Sequence, residues 1–249
     1  MGLERPEPSS YASRLTPNGI RAVFFDAGAT LIRPDPPVEE VYAREFSDDR
    51  IRFSSDQVSR ALTRAWEEVH AQGGRDRYGG VRGEPDFWRA FLNRVRSHLD
   101  GGAVSAQGFS RLAAHFGRGS SWAVYEDVLP ALEDLSRRGF LLAVVSNWDS
   151  RLPGLLTSVG LAARFQAVSV SAIEETGKPE PEIFRRTCAR LGVSPAQALH
   201  VGDSLVEDYQ GAIGAGLSAL LLDRENRFSG RARCIRSLEE LPARIGNAA

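Results

Sequence analysis

The chain is short of several residue types, and each shortage removes a class of protein. Its 249 residues hold a single lysine, Lys178, although Lys+Arg total 31. The arginines are scattered over polar helix faces and are balanced by 32 acidic residues, for a net charge of −1. No global field recommends nucleic acid or an anionic membrane as a partner. Two cysteines, Cys188 and Cys234, are too few for a disulfide framework or a structural zinc site, and both read as reduced and inert. No run reaches the roughly 18 apolar residues of a membrane helix. The stretch through Asn18 is rich in Pro, Ser and charge and lacks the apolar middle of a secretory signal. Residues 1–18 therefore read as a loose tail on a cytoplasmic protein.

What is present starts with Arg21-Ala22-Val23-Phe24-Phe25-Asp26-Ala27-Gly28-Ala29-Thr30-Leu31. Apolar residues lead into one carboxylate, and small residues then turn the chain, which predicts a buried strand delivering Asp26 to its carboxyl end. In open α/β sheets ligands bind just beyond that end. On these residues alone an Asx-type turn explains the pattern equally well.

After Leu31 the run Arg33-Pro34-Asp35-Pro36-Pro37 breaks regular structure, and strand signals vanish. Val58, Leu62, Trp66 and Val69 recur at helical spacing between a Ser54-Ser55-Asp56 cap and Gly73-Gly74. Phe87, Phe91, Val95 and Leu99 repeat the pattern from a helix start at Pro85, and Phe109, Leu112 and Phe116 form a third set. Residues 33–124 thus read as an all-helical insertion, with residues 19–32 and 125–249 forming an α/β core. In that second part helices alternate with short continuous apolar runs, the mark of strands buried in a parallel sheet. Strands are predicted over Phe140 to Val145, Phe165 to Val170, Ala198 to Gly202 and Ser218 to Leu222. Helices are predicted around Leu129 to Leu135, Leu152 to Leu156, Ile183 to Leu191 and Val206 to Ala215. The fold class is a doubly wound, Rossmann-like parallel sheet with a helical insertion.

Polar clusters follow four of these strands: Asp26 with Thr30, Ser146 with Asn147, Lys178, and Asp203 with Asp208. In a parallel sheet they converge on one edge. An anionic nucleophile, hydroxyl and amide donors, one cation and acidic residues for a hard metal ion suit phosphoryl transfer. On spacing alone Lys178 could be a solvated loop residue and Asp208 a charge on a helix N-terminus. His200 reads as a packed core histidine, and His70, His98 and His115 as rim or solvated positions.

The segments FFDAGATL, VVSN, the lysine before Pro-Glu-Pro-Glu-Ile-Phe, and HVGDSLVEDYQGA resemble, in order, motifs one to four of the haloacid dehalogenase-like (HAD) hydrolase superfamily. They span Arg21 to Asp223, and the insertion resembles the helical cap of subfamily I. The resemblance implies that Asp26 is a nucleophile forming an aspartyl-phosphate. Thr30, Ser146 and Asn147 would orient that carboxylate and donate to phosphoryl oxygens, and Lys178 would neutralise charge. Mg²⁺ would be held by Asp26, the Gly28 carbonyl, Asp203 and Asp208, the last directly or through water. The substrate would be a small phosphorylated metabolite bound by a monomer or weak dimer. Tyr78, Arg75, Arg77 and Arg82, in a Gly-flanked loop of the cap, are candidate substrate contacts.

The pattern breaks at Gly28. Phosphatases of this superfamily carry there a second aspartate that protonates the leaving group and then activates water. Such help is worth about 10²–10⁴ in rate, or roughly 3–5 kcal/mol of barrier. Its loss predicts a weak phosphatase, or one restricted to good leaving groups such as acyl phosphates or aryl esters. Ala29 also replaces the usual glycine of the turn. Two other readings stand: a non-catalytic homologue binding a phosphometabolite or a protein, and a dehalogenase-like C–X hydrolase, against which the acidic pair in GDSLVED argues. A Schiff-base phosphonate hydrolase needs a second lysine, which the chain lacks.

Overall fold

The computed structural model of the protein describes residues 19–47, 51–72, 76–99, 101–228 and 232–245. The expectations for residues 1–18 and for Arg75 lie outside them. Strand β1 (Ala22–Phe25) is buried at every position. Val23 and Phe25 belong to one apolar cluster and Ala22 and Phe24 to another, as a strand covered on both faces requires. Each fully buried phenylalanine is worth up to about 3 kcal/mol over exposure, so this strand is fixed from two sides.

From Asp26 the chain turns into strand β2 (Ile32–Pro34) and then enters the insertion: helices α1 (Val38–Phe46), α2 (Ser55–Gln72), α3 (Gly80–Ser97) and α4 (Ala106–Phe116). Strand β3 (Trp122–Val124) returns antiparallel to β2, with Ile32 opposite Val124 and Pro34 opposite Trp122. The run expected to break regular structure thus begins inside a short ribbon. Pro34 is tolerated there because it ends a strand that pairs on one side only. The helices share an apolar cluster of their own, including Tyr42, Phe46, Leu62, Phe91 and Val95. Two expectations shift. Helix α1, which no periodicity marked, buries Val41, Tyr42 and Phe46. Helix α3 begins at Gly80, with Pro85 inside it rather than at its start. The Asp76 carboxylate accepts from the Gly80 amide at 2.6 Å, opening the helix early, and Pro85, now its sixth residue, lies past the first turn, so the helix forgoes one backbone hydrogen bond there.

The remaining chain is α5 (Val128–Arg137), β4 (Leu141–Ser146), α6 (Leu152–Ser158), β5 (Ala167–Val170), α7 (Ser171–Glu174), α8 (Pro181–Leu191), β6 (Ala198–Gly202), α9 (Gly211–Gly214), β7 (Ser218–Leu222), β8 (Cys234–Ile235) and α10 (Leu241–Ile245). The six-stranded sheet runs β5-β4-β1-β6-β7-β8, with every neighbouring pair parallel. Helices α5, α6 and α10 contribute to the cluster on one face, α8 and α9 to that on the other. The protein is therefore a doubly wound, Rossmann-like α/β fold. The chain winds outward from β1 to β4 and β5 on one side, then crosses back to β6, β7 and β8 on the other, which makes the carboxyl end of β1 the point where the winding reverses and where such sheets place their ligands.

Candidate active site

Register brings the predicted residues together. Phe25 lies level with Val144 of β4 and Val201 of β6, so Asp26, Ser146 and Asp203 leave adjacent strand ends. The Ser146 hydroxyl donates to Asp26 Oδ1 at 2.9 Å, and Lys178 Nζ donates to the same oxygen at 2.5 Å. Lys178 Nζ also donates to Asp208 Oδ1 at 2.5 Å. The lysine is 4 % exposed. Burial works against its charge, but Asp208 and Asp26 outweigh it and hold the ammonium above its ordinary pKa.

Asp208 is the most heavily bonded carboxylate of the site. Its Oδ1 also takes a hydrogen bond from His200 Nε2 at 2.8 Å, and Oδ2 one from the Ser204 amide at 2.9 Å. Burial pushes its pKa up, yet Lys178 and His200 more than reverse this and keep it ionised well below the usual carboxylate range. The segment carrying it, Leu205–Gln210, is a π-helical turn rather than the start of the expected α-helix. The Tyr209 amide reaches back to the Ser204 carbonyl at 3.1 Å, and this wider turn swings Asp208 under β6. The strand must leave room for it: a Cβ on Gly202 would lie 2.2 Å from Asp208 Cγ. His200 is a packed core histidine, as expected, but its partner is a site carboxylate.

Asp26 and Asp203 have the opposite balance. Burial raises Asp26 to about 6 despite Lys178. Burial, then the nearby Asp26 and Asp208 charges, raises Asp203 to about 7. Carboxylate oxygens of Asp26, Asp203 and Asp208 all lie within 4.8 Å of one another. Lys178 pairs with Asp26 and Asp208, and no described residue other than Asp203 itself donates a hydrogen bond to the Asp203 carboxylate. That donor set, all oxygen and short of positive charge, fits a hard divalent cation.

Other predicted residues are placed differently. Asn147 makes no hydrogen bond with Asp26. Its Oδ1 accepts from the Lys178 amide at 2.7 Å, and its Nδ2 donates to the Lys178 carbonyl and to Glu207 Oε2, both at 2.8 Å. It thus positions the lysine loop rather than the carboxylate. Thr30 is fully buried and its hydroxyl has no hydrogen-bond partner among the described residues. The turn folds back on itself, with the Leu31 and Ile32 amides both donating to the Ala27 carbonyl, and the threonine hydroxyl makes no hydrogen bond to Asp26. Ala29 sits in that turn with φ 55°, the left-handed conformation in which glycine is the usual occupant. Of the loop contacts, Arg77 pairs with Glu207 and lies over the Trp66 ring, while Tyr78 is buried with its hydroxyl 3.4 Å from the Asn147 carbonyl. Both brace the helices against the sheet and neither lines the cavity. Arg82 is exposed.

The cavity over these residues has a volume of about 560 Å³. Asp26, Ser146 and Asp203 form its polar floor, and Trp148, Leu205, Val206 and Phe228 supply apolar wall. Sequence reasoning missed two lining residues that matter. Glu207, the neighbour of Asp208, links Arg77 of the helical insertion to Asn147. Trp148, directly after Asn147, packs against Gly28: a Cβ there would lie 3.0 Å from the indole Cζ3.

Fold and site together define a doubly wound α/β protein that gathers acidic residues and one lysine at its switch point. The family model for haloacid dehalogenase-like hydrolases matches residues 20–216. The chain belongs to that family. It is 33% identical over 210 residues to haloacid dehalogenase-like hydrolase domain-containing protein 3 of Mus musculus, covering 82% of each chain. It is 30% identical over 215 residues to a glyceraldehyde 3-phosphate phosphatase of Methanopyrus kandleri, covering 82% of this chain and 84% of the other. Among solved structures, a HAD phosphatase from Thermococcus onnurineus superposes with a TM-score of 0.64 at 27% identity, covering 92% and 99%.

Proposed function

We propose that the protein is a Mg²⁺-dependent phosphatase that works through an aspartyl-phosphate on small phosphorylated metabolites with good leaving groups. The observation that carries this reading is the state of Asp26: one carboxylate oxygen is fixed by Ser146 and Lys178, while no described residue donates a hydrogen bond to Oδ2. A carboxylate locked in orientation with lone pairs exposed to a cavity is arranged to attack. Attack on phosphorus forms the Asp26 O–P bond as the P–O bond to the leaving group breaks, and that oxygen departs with the electron pair. Water then attacks the same phosphorus, loses its proton to solvent, and releases phosphate with the Asp26 carboxylate restored. Lys178 offsets the negative charge in both steps, and Asp208, His200 and Asn147 keep its ammonium in place.

Asp26, the Gly28 carbonyl and Asp203 would hold the metal, with Asp208, already occupied by three donors, reaching it through water. When bound, Mg²⁺ would supply charge neutralisation at the phosphoryl oxygens. Residues 33–124 would serve as the cap, closing the cavity and excluding water. The Arg77–Glu207 pair and the Trp88 Nε1 to Asp149 hydrogen bond at 2.9 Å support a seated position for it. In this reading the protein is a cytoplasmic monomer or weak dimer.

The test is phosphate release from a panel of phosphoesters and acyl phosphates with Mg²⁺ and with chelator, for wild type and Asp26→Asn. Turnover that needs Mg²⁺ and vanishes in Asp26→Asn is expected. Turnover unaffected by Asp26→Asn would sink the proposal. Halide release from 2-haloacids that survives chelation would make the protein a dehalogenase instead, and phosphate binding without turnover would make it a binding protein.

A further inference from the structure

The leaving group must extend from phosphorus away from Asp26, into the rest of the cavity. What it meets there is Trp148. The indole lies beside Gly28, where a Cβ would come 3.0 Å from its Cζ3. A side chain at position 28 would therefore press on the ring and need it to give by a few tenths of an ångström. Trp148 is braced from behind by Trp122, with ring centroids 5.1 Å apart at 55°, and its carbonyl accepts from the Ala172 amide at 3.3 Å. Phe228, Leu205 and Val206 extend the apolar wall.

Two separate requirements follow for the departing group. Position 28 carries no acid to protonate it, which favours a group stable as an anion. A phenol ionises near pH 10, as tyrosine does, whereas an alcohol behaves like water, near 16. It must also be compatible with a planar aromatic wall, against which rings gain offset or edge-on contacts that an aliphatic chain does not. Aryl oxides satisfy both.

We propose that the substrates are aryl phosphate monoesters, and that Trp148 is the residue that selects them by packing against the ring of the leaving group. The inference rests on the phosphatase reading of Asp26. In the transfer, the P–O(aryl) bond breaks with its electron pair on the aryl oxygen. The aryloxide is then protonated by water outside the wall.

Two measurements test the wall separately from turnover. The first compares kcat/KM for phenyl phosphate with that for acetyl phosphate, whose non-aromatic leaving group also departs as an anion without an acid, in wild type, Trp148→Leu and Trp148→Phe. The change in the ratio between variants cancels the intrinsic difference between the two leaving groups. The phenyl-to-acetyl ratio is expected to fall about five- to ten-fold in Trp148→Leu and to recover within about two-fold in Trp148→Phe, as an aromatic contact of ordinary strength implies. The second is calorimetric binding, with Mg²⁺, of phenylphosphonate, cyclohexylphosphonate and inorganic phosphate, which needs no chemistry. Phenylphosphonate should bind better than its cyclohexyl counterpart, and that preference should vanish in Trp148→Leu. Equal binding of the two phosphonates by wild type overturns the proposal, as does an unchanged phenyl-to-acetyl ratio in Trp148→Leu. Absence of turnover with the aryl preference in binding intact would remove the phosphatase reading and leave the aryl-binding wall standing.

Discussion

The indole of Trp148 packs tightly over the α-carbon of Gly28: with the ring where it is, a Cβ at position 28 would approach Cζ3 to 3.0 Å, and the ring would have to give by a few tenths of an ångström to admit it. Gly28→Asp alone should therefore not install a working acid. It should cost about 1–3 kcal/mol in stability, the usual penalty for overpacking, with no gain on alkyl phosphates. Gly28→Asp combined with Trp148→Ala should raise kcat/KM on an alkyl phosphate by about ten-fold or more over either single variant, because neighbouring substitutions couple. A single Gly28→Asp that does as well as the double variant would show that the ring is no obstacle.

Asp203 is the site's uncompensated charge, and the metal-free protein should reveal it. Burial and two neighbouring carboxylates raise its pKa to about 7, and burial raises that of Asp26 to about 6. A carboxyl whose folded pKa lies above its unfolded value favours folding while protonated, and that benefit fades as pH rises from about 4 toward 7. Without metal, Tm should thus decline over this window, and Asp203→Asn should flatten the decline while abolishing the Mg²⁺ effect. Added Mg²⁺ should raise Tm more at pH 8 than at pH 5, since at low pH protons compete for the same oxygens. Thermal melts at the two pH values check both statements, and equal Mg²⁺ shifts would contradict them.

Lys178 is the ammonium that Asp26 and Asp208 share. Lys178→Met leaves two buried carboxylates facing each other, and removing one partner of a buried pair typically costs about 3–5 kcal/mol. Turnover should fall by on the order of 10²–10³, as when an electrostatic contact to the reacting group is lost. Asn147→Ala, which frees the lysine loop but keeps the ammonium, should be milder in both respects. If Asn147→Ala proves as damaging as Lys178→Met, the amide has a direct role that its contacts do not show.

Much of this was legible in order along the chain because the relevant signals are local. Each strand announces itself by a short apolar run, and each polar residue that follows is delivered to the same edge by parallel register. The Ala198–Gly202 and Ser218–Leu222 strands were readable to the residue for that reason. What was not legible depends on contacts between distant segments. The ribbon of β2 and β3 joins residues about ninety positions apart, and neither short strand carries a pattern of its own. Asn147 turned from carboxylate to lysine loop because residue 178 lies beside it, and Glu207 became a link only because Arg77 reaches it from the helices. Trp148 reads as an ordinary apolar residue until the space above Gly28 is known.

Ala29 holds a left-handed backbone, φ 55°, which costs a residue with a Cβ roughly 1–2 kcal/mol. Ala29→Gly removes that strain but gives the unfolded chain more freedom, worth up to about 1 kcal/mol in the other direction. The balance should be a small stabilisation, up to about 1 kcal/mol, seen as a higher denaturant midpoint at unchanged slope. A lowered midpoint would mean that the Ala29 methyl makes a contact outweighing its strain.

The missing side chain at position 28 bears on both halves of the reaction, but unequally. For an aryl or acyl phosphate the first half needs no acid, because the leaving group departs as an anion. The second half still needs a proton taken from water, and position 28 offers no base for it. Hydrolysis of the aspartyl-phosphate should then be the slower step. Rapid mixing of enzyme with 4-nitrophenyl phosphate should release about one equivalent of nitrophenolate per site in a burst, followed by a slow linear phase. Among substrates with good leaving groups kcat should be nearly constant, since all pass through the same slow hydrolysis, while kcat/KM should vary with the leaving group. A small external base that fits the cavity, such as imidazole, should raise the linear phase without changing the burst amplitude. Linear release from the first turnover, with kcat tracking the leaving group, would place the barrier in the first step and mean that Gly28 does not slow the second.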